Sequence, residues 1–274
     1  MIATFIPSTA SRIFAIYHPP AGCGEDLGDM IFIPPFAEEL NRSRHVVARQ
    51  ARAFAERGLG VLVLDLFGTG DSDGDFAQAR WEAWRQDVRA AADWLRDRGR
   101  NRIGLWGLRL GGLLAMEVAS RAAGRFNHIL LWQPAQNGKV FLTQFLRIRM
   151  AAELARANGA KQGTRELRAM LKAGRTVEVA GYDLAPELAS AIDGLTLKPL
   201  VPPNGTKVLW LEVASSAHPE LLPGSAQTVA DWRSQGASVE TAAVVDRPFW
   251  TLLETAWAPR LQELTLALAM DRAA

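Results

Sequence analysis

Short apolar runs alternate with amphipathic stretches along most of this chain. Ala3 to Ile6 and Ile13 to His18, separated by the turn-forming Pro7 to Ser11, predict two strands of a hairpin. Met30 to Ile33 predicts a third strand, stopped by Pro34-Pro35. Phe36 to Glu39 then reads as a loop, and Asn41 or Ser43 as the cap of a helix. Its apolar positions Val46, Val47, Ala51, Phe54 and Ala55 fall near helical period until Gly58. Val61 to Leu66 is an apolar run of the kind that sits inside a parallel sheet with both faces covered. After a glycine-rich loop, Trp81, Trp84, Val88, Ala91 and Leu95 recur at intervals of 3 and 4, which predicts an amphipathic helix ending at Gly99.

The pattern then tightens. Ile103 to Trp106 is strand-like, Gly107, Gly111 and Gly112 permit a sharp turn, and Leu113 to Ala119 opens a helix-forming segment. A further strand is predicted from His128 to Trp132. Beyond Gln133 the alternation breaks down. One helix carries Val140, Phe141, Phe145, Ile148 and Ala152, a second covers Arg165 to Lys172, a strand covers Thr176 to Tyr182, and a short helix covers Glu187 to Ile192. Strands at Val208 to Val213 and Val239 to Val245 then bracket a helix from Ser225 to Gln235, and a closing helix starts at Trp250. The fold class is therefore α/β: a mostly parallel sheet with helices on both faces. Residues 1–132 and 206–274 form the core, and 133–205 an inserted cap.

Composition narrows the classes of function. The 274 residues are 49% hydrophobic, ample for one core, and the formal net charge of +2 with no basic block argues against a nucleic-acid partner. The closing apolar stretch carries Glu254, Arg260 and Glu263, so it reads as a packed helix and no transmembrane segment is expected. A lone cysteine, Cys23, and an N-terminus without a signal-peptide pattern set the expectation of a cytoplasmic protein. The loop from Asp65 to Gly74 lacks both G-x-G-x-x-G and GK[ST], so turn chemistry explains it better than phosphate binding and no cofactor is expected. The four histidines show no ligand spacing, so no metal is expected either.

The strand-turn-helix segment carries Gly107-Leu108-Arg109-Leu110-Gly111 where a nucleophile elbow reads G-x-S-x-G. A guanidinium stays protonated and cannot attack a carbonyl carbon, so Arg109 cannot take the serine's part. With the mixed sheet, the cap and the loop at 65 to 73, this turn resembles the α/β-hydrolase superfamily across nearly the whole chain. Closer still, Ile33 to Arg44 (IPPFAEELNRSR), Trp106 to Gly111 and Val179 to Tyr182 resemble the family called hydrolase 2, exosortase A system-associated. That family is encoded beside exosortase and exopolysaccharide genes in bacteria. The resemblance implies a hydrolase-like protein acting on a small ester, acyl or anionic substrate of such a pathway.

The superfamily's other triad roles are altered too. The loop after the strand at 208 to 213 holds no carboxylate before Glu220, although Glu212 falls at the strand's end, and His218 is the only histidine expected at that rim. The loop Asp246 to Trp250, where the triad histidine belongs, contains none. Ser72 reads as a turn residue. Arg109 at a helix start needs an anion, because the macrodipole disfavours a cation there and a buried unpaired guanidinium costs more. Glu38, Glu39, Glu212, Asp246 or a ligand anion are the candidates; loss of the acid from a buried pair would strand the cation. Backbone N–H groups of Phe36 and Leu110 occupy the old oxyanion positions. Two readings stay open: an enzyme in which a carboxylate such as Glu39 activates water, or a non-catalytic homologue that binds a small anionic ligand or a partner protein.

Overall fold

The computed structural model describes residues 1–9, 11–21, 26–154, 163–214 and 219–273. An eight-stranded sheet runs through it. Its strands are β1 (Ile2–Pro7), β2 (Arg12–His18), β3 (Asp29–Ile33), β4 (Gly60–Leu64), β5 (Ile103–Leu108), β6 (His128–Trp132), β9 (Lys207–Ala214) and β10 (Ser238–Val245), with β7 and β8 lying elsewhere. The spatial order is β1-β2-β4-β3-β5-β6-β9-β10. Only the β1–β2 and β2–β4 pairings are antiparallel. The chain steps from β3 outward to β4 and then returns across β3 to β5. That reversal is a topological switch point, where loops at the carboxyl ends of strands splay apart and leave a crevice. Ile33 pairs with Gly107, so the ends of β3 and β5 are level and their following loops meet.

Alternating side chains feed two separate cores, as the period of a strand requires. One face carries Ile31, Ile33, Leu62, Leu64 and Leu105 against α2 (Trp81–Arg96) and α3 (Leu110–Ser120). The other carries Met30, Phe32, Val61, Trp106 and Trp132 against α1 (Glu38–Glu56) and α8 (Pro259–Ala273). On this second face Phe32, Trp106 and Trp132 meet edge to face, with centroids 4.6 and 4.7 Å apart. The Trp132 indole N–H donates to Thr265 Oγ1 of α8 at 3.0 Å, so the polar end of a fully buried ring is satisfied. Between β6 and β9 lie α4 (Gly138–Leu154), α5 (Thr164–Lys172), the hairpin of β7 (Val177–Val179) and β8 (Tyr182–Leu184), and α6 (Pro186–Asp193), all outside the main sheet. The helix α7 (Pro223–Ser234) joins β9 to β10.

Four expectations need correction. The first helix starts at Glu38, ahead of Asn41 and Ser43, because Ala37 turns the chain at φ 52° two residues after the second proline. Ser43 instead donates to the Glu39 carbonyl one turn back, at 2.7 Å. The strand β4 ends at Leu64, since the Asp65 carboxylate swings out to accept from Arg44 and from the Asp71 amide. Thr176 to Tyr182 is not one strand: Ala180 and Gly181 both take positive φ, and such a two-residue turn folds the segment back as a hairpin. Finally, the last helix begins at Pro259. Phe249 and Trp250 are buried against the second core, and Asp246 Oδ2 accepts from the Leu261 amide in the helix's first turn.

The turn between β5 and α3 depends on one close approach. A Cβ at Gly111 would lie 2.3 Å from the Ile33 carbonyl oxygen and 2.5 Å from that of Pro34, both backbone atoms that cannot step aside. Gly111→Ala is expected to cost about 1–3 kcal/mol or more by overpacking. Gly224→Ala in α7, where a Cβ meets nothing within 4 Å, should leave stability unchanged or slightly raised. Urea denaturation of the two variants checks this.

Candidate active site

Arg109 sits between the last residue of β5 and the first of α3, at φ 56° and ψ −118°. A residue carrying a side chain rarely adopts this region, at a cost of order 1–3 kcal/mol, unless its surroundings hold it there. Three backbone bonds do so. The Arg109 amide donates to the Trp132 carbonyl at 3.0 Å, and its own carbonyl accepts from Gly112 at 3.1 Å and Ala135 at 3.0 Å. The turn therefore raises the Arg109 side chain above the carboxyl edge of the sheet at the switch point, where G-x-S-x-G places a serine.

The guanidinium meets Glu39 in the first turn of α1, with Nε donating to Oε1 at 3.2 Å. It also lies over two rings, with Cζ 5.7 Å from the centroids of Phe141 in α4 and Trp250 in the loop after β10. Among the described residues none accepts a hydrogen bond from its two terminal amino groups. Of its five donors, one is engaged by a side chain of the protein.

Glu39 is the deeper partner: its side chain is 10% exposed against 18% for Arg109. Burial pushes its carboxyl up to about 7, and the attraction of Arg109 recovers only part of that rise. Its Oε2 has no hydrogen-bond partner among the described residues, and neither has Glu38 Oε2 beside it. Burial raises the Glu38 carboxyl as well, with Arg42 opposing. The dependence between acid and base thus runs opposite to the expectation that losing the acid would be worse. The arginine retains some access to water, whereas the carboxylate has little other than the arginine to offset its desolvation.

The expected oxyanion donors lie next to this pair. Leu110 opens α3, where the first N–H groups have no intrahelical acceptor, and Phe36 follows the prolines after β3. The space beneath them is filled. The Phe36 ring packs edge-on against Trp84, Phe141 and Phe145, and the remaining gap beside Leu110 and Gly111 is about 10 Å³, room for about one water.

The other candidates separate from this centre. Glu212 is buried in β9 and already accepts from the Trp210 indole at 3.0 Å, the Leu222 amide at 2.7 Å and the Ser225 hydroxyl, anchoring the start of α7. Asp246 caps α8. His218 lies outside the described residues, as does Cys23. Ser72 donates to the Asp65 carbonyl and accepts from the Phe14 amide, a turn role. Among the described residues no group of three His, Cys, Asp or Glu side chains gathers in a way that would hold a metal. The rings of Phe141 and Trp250 escaped the sequence reading. Both look like core positions in an apolar pattern, and only their tertiary placement turns them toward a cation.

The switch-point crevice, the strained strand-to-helix turn and the mostly parallel eight-stranded sheet define an α/β-hydrolase. Residues 29–177 match the family model described as serine aminopeptidase, S33, and the chain belongs to that family. Among solved structures it is similar to Est1E from Butyrivibrio proteoclasticus with ferulic acid bound, at a TM-score of 0.69 and 17% identity, covering 98% of this chain and 97% of that one. Proline iminopeptidase of Mycobacterium smegmatis follows at TM-score 0.61 and 14% identity, covering 99% of each chain. An alpha-beta serine hydrolase homologue from Coxiella burnetii aligns at TM-score 0.60 and 14% identity, covering 100% of this chain and 97% of that one. At these identities the structures speak for the fold. No curated protein matches the sequence.

Two stability measurements follow from the asymmetry of the pair. Arg109→Met should cost about 3–5 kcal/mol at pH 8 and less at pH 6, where the stranded carboxyl takes a proton, while Glu39→Gln should cost about 1 kcal/mol. The pH dependence has a definite sign. Between pH 4.5 and about 7 the unfolded chain releases the Glu39 proton while the folded chain keeps it, so this residue's contribution to stability falls as pH rises. Glu39→Gln should remove that slope, as read by denaturation midpoints across the window.

Proposed function

We propose that this chain is a hydrolase-fold protein that seats the anionic end of a small carboxylate or acyl compound on Arg109, without forming an acyl-serine intermediate. One observation carries the reading: the guanidinium spends its Nε on Glu39 and leaves both terminal amino groups unpaired among the described residues, between two aromatic rings. Two parallel N–H donors match a carboxylate in a bidentate manner. The rings of Phe141 and Trp250 offer an apolar wall for the rest of such a ligand, and residues 133–205, which include Phe141, act as its cap. The setting we propose is cytoplasmic, in an exosortase A and exopolysaccharide system. Its support is the resemblance of residues 33–44, 106–111 and 179–182 to the hydrolase 2 family of those systems.

A second, catalytic reading is favoured by Glu39. A carboxylate with a pKa near 7 and an unpartnered oxygen suits a general base. In this reading Glu39 takes a proton from water as the water oxygen bonds to the acyl carbon and the carbonyl π pair moves onto oxygen, where Arg109 holds the negative charge; the intermediate then collapses, the ester C–O bond breaks, and Glu39 returns the proton to the leaving alkoxide.

Calorimetry with ferulate and with short aliphatic carboxylates tests the proposal, and the expected result is binding that Arg109→Met weakens at least about tenfold, as loss of a charge-assisted pair implies. Equal affinity in that variant would overturn it. A fluorophosphonate probe should leave the protein unlabelled. The catalytic reading adds an ester hydrolysis rate that rises through pH 7 and is lost in Glu39→Gln.

A further inference from the structure

The loop between β10 and α8 has two ends of opposite character. Near β10, Phe249 and Trp250 are buried. Farther on, Leu253 is 91% exposed and Trp257 47% exposed, the most exposed and the largest of the big apolar side chains that the described residues present to solvent. Both lie on one short loop. The base of that loop is fixed rather than loose: Arg42 donates from Nη1 to the Thr251 carbonyl at 3.1 Å, and His45 Nε2 lies 2.7 Å from the Ala256 carbonyl oxygen.

The charge beside these apolar tips is mostly positive, with Glu56 at the far end of α1 and Glu263 in α8 as the nearby exceptions. The outer face of α1 carries Arg42, Arg49 and Arg52 at the spacing of one helix face. The Arg49 guanidinium stacks over Trp257 with its Cζ 5.5 Å from the ring, and Arg260 follows the loop directly. Glu254 is the one carboxylate within the exposed stretch 251–257. An exposed tryptophan and leucine rimmed by arginines match the interface of an anionic bilayer, where the ring sits at headgroup level and each arginine gains from the negative surface.

We propose that the loop 251–257, with the arginine face of α1, docks this protein onto an anionic lipid surface. Trp257 and Leu253 enter the headgroup region, and Arg42, Arg49, Arg52 and Arg260 face the lipid phosphates. This inference stands apart from the ligand reading of Arg109, and its test does not involve that site.

The experiment is co-flotation of the full chain with vesicles of phosphatidylcholine alone and of phosphatidylcholine with phosphatidylglycerol. Binding is expected to the anionic vesicles only and to fall with salt. Arg49→Gln and Arg52→Gln should each weaken it roughly fivefold. Leu253→Asp should weaken it at least as much, and since Leu253 is almost wholly exposed this variant keeps its fold, which circular dichroism checks. Brominated lipid should quench the wild type's fluorescence more than that of Trp257→Phe. Equal binding to neutral vesicles, or undiminished binding by Leu253→Asp, would overturn the proposal. So would a dimer in light scattering that Leu253→Asp dissolves while vesicle binding is absent, because the patch would then serve a second copy of the chain.

Discussion

The close approach of α3 to the end of β3 is the constraint on which the site depends. Gly111 lets the Ile33 and Pro34 carbonyls come within a distance that any side chain would forbid. That contact sets the height of the turn, and the turn sets the strained backbone of Arg109. The strain is held by the β6 carbonyl of Trp132 and by the chain leaving β6 at Ala135, so three consecutive parallel strands cooperate in presenting one side chain. None of these restraints depends on the side chain at 109. The same scaffold accepts serine or arginine there.

Electrostatics then explains why the arginine is tolerated. The N-termini of α1 and α3 meet at the crevice, and both positive dipole ends disfavour a cation. Glu39 answers this from the first turn of α1, where a carboxylate is itself favoured. The burial that makes Glu39 available also raises its pKa to about 7, so the pair is a compromise in which neither group is fully repaid for leaving water. That imbalance is what supports the proposed seating of a further anion on the arginine.

Much of the architecture was legible because parallel strands and amphipathic helices leave strong periodicities, and the glycine spacing at 107, 111 and 112 marks the turn without help from the rest of the chain. What was not legible depended on contacts remote in sequence. Nothing local to Trp250 says that Pro248 and Pro259 bracket a loop, since its apolar run continues smoothly into the final helix. Likewise Glu38 and Glu39 read as loop residues until the positive φ of Ala37 starts α1 before them. The choice of Glu39 over Glu38 as Arg109's partner follows from helix phase: with the helix beginning at 38, adjacent residues point about 100° apart, and only one faces the turn.

The loop after β10 shows why the arginine and the missing histidine belong together. In a nucleophilic site this loop would bring an imidazole to the serine, and the imidazole would have to accept a proton. Here the same loop brings Trp250 to 5.7 Å from a permanent cation, while Phe249 packs beside Trp132 at 6.2 Å and ties the loop to the second core. An aromatic face attracts a guanidinium. An imidazole charged by proton transfer would repel it. Exchanging Arg109 alone for serine would leave a hydroxyl facing an indole and a carboxyl, with no imidazole placed beside it among the described residues, while Glu212 is committed to α7 and Asp246 to α8. Arg109, Glu39 and Trp250 thus make one set of contacts at the turn, while Glu212 and Asp246 serve the starts of two helices elsewhere.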